Sequence, residues 1–493
     1  MNIFDNVDTI AVTCLQFGDT GKGKVVDLLA ERADIIVRGT GGANAGHSIN
    51  CKGQTLICHL IPSGILHDAA GKINIVGSGV AVDPKRFCDE LDLLQAQGIE
   101  CKHLMLALNA KLTLPTQIVR DRVKESSAGK TKIGTTGRGI GPTYGDHATR
   151  DGLFINDLLN PDILAAKVKE NVAHSVRFLR SFDPEVVKKA LHHPNLSNGI
   201  FYHSEKMFDV DAIVQKYVEY GKILACFIRD TDRFVQQNVG VRRILLEGAN
   251  GALLDVDYGT YPYVTSTGCT VDSLAKGAGL NRSHVDLALG VFKGFYETRV
   301  GEGPMPTEFG GEVSAEWCRE HKREDEEAKY AGVTVNDPDE FRQGVAIRRA
   351  GNEYGATTGR PRRTGWLDVP LLRYALIWGG PDVALTKLDV LNDCAEIKVC
   401  TSYKYVGPDY RFGDQTLQKG NWFRSAIPTA EVLKHCEPVY TSFPGWKTSL
   451  KGITKFGDLP NKAKDLVSFV VHKAHVQPRI ISIGADRAET IFV

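Results

Sequence analysis

Apolar residues fall along this chain in two rhythms. Residues 9–15 (TIAVTCL) are a short, continuous, β-branched apolar run, which predicts a strand buried on both faces. GDTGKGK (18–24) interrupts it, and KVVDLLAERA (24–33) then carries apolar positions at helical spacing, with Asp27, Glu31 and Arg32 outward. IIV (35–37) predicts the next strand. Strand, glycine loop, helix, strand is the opening of an α/β fold with a parallel sheet. Further strands are predicted in KINIVGSGVAVDP (72–84), HLMLALNAKL (103–112), RRILLEGANG (242–251), VDLALGVFKGF (285–295), DVALTKLDVL (382–391) and PRIISIGAD (478–486).

Between these runs the rhythm changes. Residues 155–240 are poor in glycine and helical in period, as in DILAAKVKENVAHSVRFLRSF, and predict a helical insertion beside the sheet. Residues 312–350 are dense in charge, and REHKREDEEAKY (319–330) predicts a solvated helix or excursion. No internal repeat or linker divides the chain. The expectation is one large α/β domain over residues 1–493, with a mostly parallel central sheet, a P-loop-like glycine loop and helical insertions.

Composition narrows the classes. Hydrophobic residues at 42% and charged residues at 24% exclude wholesale disorder. Sixty basic against 59 acidic residues leave a net charge of +1, so nothing in the global charge recruits nucleic acid or an anionic membrane. No apolar run approaches the length of a membrane span, and the first residues have neither the basic region of a signal peptide nor a transit-peptide pattern. The 11 cysteines include no CxxC; Cys14 and Cys226, beside apolar runs, are expected as buried thiols. A cytoplasmic protein is the expectation. Glycine, at 50 residues, exceeds the usual share of roughly 7% without a collagen period, and marks special turns.

Four glycine-rich segments carry the chemistry. Gly18 and Gly23 have the spacing of a phosphate-binding loop, and Lys24 follows, but Val25 stands where a hydroxyl would hold Mg²⁺. The loop reads as a phosphate cradle at a helix N-terminus, with Asp19 as the available metal carboxylate. The plainer alternative is a tight turn without a ligand. GTGGANAGHS (39–48) sets Asn44 and His47 among small residues that let a ligand approach the backbone, and His47 has the chemistry of a donor to an oxygen gaining charge. GTTGRGIGPTYGD (134–146) offers Thr135, Thr136 and Arg138 as anion contacts, unless it is an ordinary surface loop. NEYGATTGRPRRTGWLD (352–368) pairs threonines 357 and 358 with Arg360, Arg362 and Arg363, which suits a dicarboxylate or phosphate; a merely basic surface loop is its alternative. TKLD (386–389) after a strand suits guanine, with Asp389 accepting both edge donors and the Lys387 stem over the ring.

In order, QFGDTGKGK, GGANAGHS, GTTGRGIGP, EGANGALLDVDYGTYPYVTS, ETRVGEGPMPTE, GATTGRPRRTGWLD, TKLDVL and GADRAETI run from about residue 8 to the C-terminus and together resemble the adenylosuccinate synthetases. The resemblance implies a homodimeric ligase that joins IMP to L-aspartate at the expense of GTP, with Mg²⁺. It implies Asp19 as the base at purine N1 and a Mg²⁺ ligand, the Gly46 carbonyl as a second ligand, His47 as the acid at the 6-oxygen, and Lys22 neutralising the transferred phosphoryl group. Gly18, Gly21, Lys22, Gly23 and Lys24 would hold GTP, and Asp389, Lys387, Ser482 and Gly484 its guanine. Asn44, Thr136 and Arg150, the last from the neighbouring subunit, would hold the IMP phosphate; Asn250, Thr265 and Arg360 would complete the IMP site. Thr357, Thr358, Arg360 and Arg362 would form the aspartate loop.

The sequence departs from that family's pattern at four positions: Phe17 for Trp, Thr20 for Glu, Ala43 for Asn and Asn250 for Gln. Asn250 reaches about 1.3–1.5 Å less far than Gln, so water, a closer backbone or another purine would fill the gap. A relative acting on dGMP to give 2-aminoadenylosuccinate is the alternative ligase; Asp19 and TKLD favour IMP and GTP. From another class, a guanine-nucleotide switch would need neither the arginine loop nor the Asp19–His47 pair. The segment 312–350 also looks longer than the family's usual one.

Overall fold

The computed structural model describes residues 3–51, 54–193, 196, 201–355 and 359–493. Ten strands build its central sheet: β1 (Thr9–Cys14), β2 (Ile35–Arg38), β3 (Ile73–Val76), β4 (Leu104–Ala107), β5 (Ile228–Arg229), β6 (Ile244–Glu247), β7 (Leu287–Lys293), β8 (Asp382–Thr386), β9 (Gln477–Ser482) and β10 (Thr490–Phe492). They lie in the order β5-β4-β3-β2-β6-β1-β7-β8-β9-β10, and every neighbouring pair is parallel except β9 with β10. β1 thus sits mid-sheet, with Thr9 opposite Ile244 on one side and Ile10 opposite Leu287 on the other.

All six residues of β1 are buried, as its unbroken apolar run predicts for a strand covered on both faces. Alternation sorts its side chains. Ile10 and Val12 pack with Val25, Val26 and Leu29 of helix α1 (Lys22–Ala30), while Ala11 packs with Leu274 and Ala275 of the helix Val271–Gly277 on the opposite face. Residues 155–240 hold the helices Pro161–Leu179, Pro184–Leu191, Val210–Leu224 and Thr231–Gln236; buried residues of the first three share a core with Phe87 and Leu91.

A second sheet joins Tyr296–Arg299, Arg363–Asp368, Glu396–Tyr405 and Trp422–Phe423, with Cys436–Pro444 along the third of these. It was not expected from the sequence: Glu396–Tyr405 mixes exposed, half-buried and buried positions and lacks the apolar continuity of the central strands. Two further expectations need correction. Cys14 is buried, but Cys226 is exposed, beyond the end of the apolar helix face it follows. The charged stretch 319–330 is not wholly solvated, because Glu326 is completely buried.

Candidate active site

The parallel strands all end at one edge, and the crevice outside their carboxyl ends is where such sheets bind ligands. β1, β2, β6, β8 and β9 release there the loops carrying Asp19, Asn44 with His47, Asn250, Asp389 and Gly484.

The chain leaves β1 and turns into α1 through Gly18 (φ 93°), Asp19 (φ 53°) and Gly21 (φ 78°). Gly21 is the left-handed N-cap of α1, a conformation glycine takes without a Cβ clash. The first amides of α1 lack partners within the helix and suit an anion. The Thr386 hydroxyl, at the end of β8, donates to the Thr20 carbonyl at 2.6 Å and fixes the loop from below. Lys22 is 5% exposed. Lys24 turns the other way: its ammonium donates to Ser482 Oγ and the Gly484 carbonyl at 2.8 Å and to the Glu489 carbonyl at 3.0 Å. Burial lowers its pKa to about 8, against the charges of Glu489, Asp389 and Asp486. Lys24, Ser482 and Gly484, three residues expected at GTP, are thereby in contact.

His47 opens the hairpin strand His47–Cys51 and lies in a buried charged nest. Its Nδ1 contacts Glu247 Oε1, and Arg38 Nη1 lies 3.2 and 3.3 Å from its two ring nitrogens. Glu247 also accepts the Ser63 amide at 2.7 Å and the Ser63 hydroxyl at 2.6 Å. Burial and then Arg38 lower the imidazole pKa to about 4, against the pull of Glu247. Burial alone would raise the Glu247 pKa, but His47, Arg38 and Ser63 together lower it. An ionised carboxylate, compensated by Arg38, beside a neutral ring that donates Nδ1–H is the consistent state of this coupled pair. Arg38, Glu247 and Ser63 were not anticipated. Glu247 heads EGANG, and a carboxylate ending the all-apolar strand ILLE was the available signal.

A second buried carboxylate, Glu353, was also missed. It accepts from Lys293 at 2.8 Å, Lys387 at 2.6 Å, Arg362 at 2.7 Å and the Tyr296 hydroxyl at 2.8 Å. Burial would raise its pKa, yet Lys293, Lys387 and Arg362 bring it well below the usual range. Arg362 Nε lies 3.0 Å from Asp19 Oδ2, so this guanidinium joins the arginine loop to the glycine loop. The Lys387 ammonium also donates to the Gly351 carbonyl at 2.9 Å, so its head is turned to Glu353. Arg363 pairs with the half-buried Glu308 and heads a strand of the second sheet.

Among the described residues, Asn44 Oδ1, Asn250 Nδ2 and Asp389 Oδ1, buried polar atoms on separate loops of this edge, have no hydrogen-bond partner. Such atoms call for water or a ligand. Burial raises the Asp389 pKa. Asn250 adopts φ 53°, and the Thr265 amide donates to the Leu254 carbonyl at 2.9 Å. Thr136, Arg150 and Arg360 are exposed; Arg150 forms the left-handed C-cap of the helix Ile140–Thr149. Gly46 immediately precedes His47 and is half-buried. Thr357 and Thr358 lie outside the described residues.

A parallel α/β sheet, a glycine loop opening its first helix, and polar loops gathered at one edge define a nucleotide-using α/β enzyme. The family model for adenylosuccinate synthetase matches residues 11–491. An adenylosuccinate synthetase from Halothermothrix orenii is 38% identical over 97% of this chain and 96% of its own. One from Crocosphaera subtropica is 37% identical over 98% and 94%. The solved structure of the fully ligated adenylosuccinate synthetase of Plasmodium falciparum superposes with a TM-score of 0.79, at 30% identity, over 99% of this chain and all of that one. The succinoaminodeoxyadenylate synthetase of cyanophage S-2L, bound to dGMP and dATP, shares the fold, with a TM-score of 0.51, 16% identity and coverage of 99% and 95%. The chain belongs to the adenylosuccinate synthetase family, and it is a ligase that joins IMP and L-aspartate using GTP.

Proposed function

We propose that the reaction runs through 6-phosphoryl-IMP at the carboxyl edge of the sheet, within one domain spanning residues 1–493. The observation that carries this is the meeting of several loops at that edge, where Asn44 Oδ1, Asn250 Nδ2 and Asp389 Oδ1 are buried and unpartnered among the described residues. A purine 6-oxygen leaves poorly until phosphorylated, and the aspartate amine then displaces phosphate. Such a transfer rests on positioning and charge neutralisation. Asp19 takes the N1 proton, exchanging its Arg362 partner for the purine. His47 serves the 6-oxygen as acid; neutral at rest, it takes a second proton from water when phosphate charge arrives beside it and gives that proton to the departing phosphate. Lys22 neutralises the moving phosphoryl group. Gly18, Gly21, Gly23 and Lys24 hold GTP, and Asp389, Lys387, Ser482 and Gly484 its guanine.

Asn44, Asn250, Thr136 and Thr265 hold IMP, together with Arg150 of a second subunit and Arg360. Thr357, Thr358, Arg360 and Arg362 take aspartate, and closure of their loop excludes the water that would hydrolyse the intermediate. Mg²⁺ suits the donor set: it takes one or two carboxylates with phosphate oxygens and water, and Asp19 is a partly exposed carboxylate on a phosphate loop. Asp19 and the Gly46 carbonyl would hold it, and its charge would offset that of the phosphates. A cytoplasmic homodimer is proposed. No helix among the described residues is long and apolar enough to cross a membrane.

The test is product formation by mass spectrometry with GTP, Mg²⁺ and aspartate, offering IMP and dGMP separately. Adenylosuccinate from IMP, with phosphate release that requires both IMP and aspartate, is expected. Product from dGMP alone, or phosphate release without aspartate, overturns the reading.

A further inference from the structure

The charged stretch the function leaves aside folds as the helices Gly311–Glu320 and Arg323–Lys329. Trp317, Cys318, Phe341 and Val345 form a small apolar cluster beneath them. One acid of the run, Glu326, is completely buried and points back into the protein. It accepts from the Tyr354 hydroxyl at 2.7 Å and Trp317 Nε1 at 3.1 Å, and it pairs with the buried Arg348. Arg348 Nε in turn donates to the Arg362 carbonyl at 2.5 Å.

Tyr354 and Arg362 are the two stems of the arginine loop. Tyr354 bridges Pro361 in antiparallel fashion, the Gly355 amide donates to the Arg360 carbonyl at 2.8 Å, and the Arg362 amide donates to the Glu353 carbonyl at 3.0 Å. The same short helix reaches this neck a second time. The Arg323 amide donates to the Gly359 carbonyl at 3.1 Å, its Nη1 donates to Asn352 Oδ1 at 3.1 Å, and its guanidinium lies 5.2 Å from the centre of the Tyr354 ring. This helix therefore holds the Tyr354 stem and Gly359 directly, and the Arg362 stem through Arg348 of the helix Glu340–Ala350.

We propose that the helix Arg323–Lys329 is a bracket that pre-sets the arginine loop for aspartate, with Glu326, Arg323 and Tyr354 as positioning residues. The inference rests on the reading of that loop as the aspartate subsite. Stems fixed beforehand spare aspartate the entropy cost of setting them, which would otherwise count against its affinity. Loosening the stems weakens aspartate most, weakens IMP less because the loop lends it only Arg360, and leaves GTP, held from other loops, unaffected. Bound aspartate then reacts as before, so KM moves and kcat does not.

The test is steady-state kinetics of Arg323→Ala, Tyr354→Phe and the double variant, with Arg360→Leu alongside. Arg323 has a side chain 48% exposed, so its variant folds even if Tyr354→Phe does not. Each single change is expected to raise the aspartate KM about threefold and the pair about tenfold, with kcat and the GTP KM within error, the IMP KM rising less than that for aspartate, and the melting temperature unchanged in Arg323→Ala. Restoration by Arg323→Lys of part of the loss supports the bracket. An aspartate KM unchanged in the double variant, or all three KM values rising together, overturns it. If Arg360→Leu raises the aspartate KM while the double variant does not, the bracket alone fails. If Arg360→Leu leaves it unchanged, the aspartate-loop reading fails first.

Discussion

At the scale of single residues, the site rests on two carboxylates with opposite surroundings. Asp19 sits on a strained, partly exposed turn and contributes little to the core, so Asp19→Asn is expected to cut kcat by about 10²–10⁴-fold while leaving the melting temperature unchanged. Full activity in that variant would remove it as the base. Glu247, wholly buried, contacts His47 and in the proposed mechanism would act through it. Glu247→Gln leaves the ring without an ionised acceptor at Nδ1, and kcat should fall with the IMP KM nearly unchanged, measured by initial rates at saturating GTP and aspartate. His47 also ties stability to pH. Its folded pKa of about 4 is below the unfolded value of about 6.5, so the unfolded chain binds the extra proton first as pH falls. Stability from this group is complete above pH 6.5 and declines toward pH 4. Urea titrations across that window should show a steeper loss in the wild type than in His47→Gln; parallel curves would mean the ring is not held neutral.

Among the elements, the glycine loop was legible because its requirement is local: left-handed turn geometry at Gly18 and Gly21 is written within a few residues. The nest around His47 was not, because Glu247 lies 200 residues further on and meets it only once β6 is placed beside β2. The second sheet escaped for a related reason. Its strands pair across long separations and lack the continuous apolar runs of the buried sheet. Glu326 was hidden inside a run of charges whose neighbours are indeed exposed. Between elements, close approach sets a limit that sequence does not announce. A Cβ on Gly277, at the end of its helix, would lie 1.8 Å from the Gly39 carbonyl oxygen and 3.1 Å from Gly79 Cα. Gly277→Ala should therefore destabilise by about 2–4 kcal/mol, read as a lowered urea midpoint, and should raise the IMP KM by shifting the loop that carries Asn44 and His47.

For the whole molecule, the proposed dimer makes each site depend on two chains. Mixing Arg150→Leu subunits with Asp19→Asn subunits should restore activity that neither variant has alone, because some hybrid sites then carry both intact residues. Mixtures no better than the inactive parents, under conditions where subunits exchange, would place Arg150 outside the neighbouring site.

The Lys24 ammonium joins α1 to the end of β9, across a separation of 458 residues to Ser482. On the ribosome, at about 5–20 residues per second, roughly 20–90 s pass between the synthesis of these two partners. β1 waits as well, since its neighbours β6, from Ile244, and β7, from Leu287, are made long after Thr9. The glycine loop is made long before the partners that complete it. A nascent chain ending before Ser482 cannot form these Lys24 contacts with Ser482 and Gly484, and a truncated product would be deprived of the last part of its nucleotide cradle.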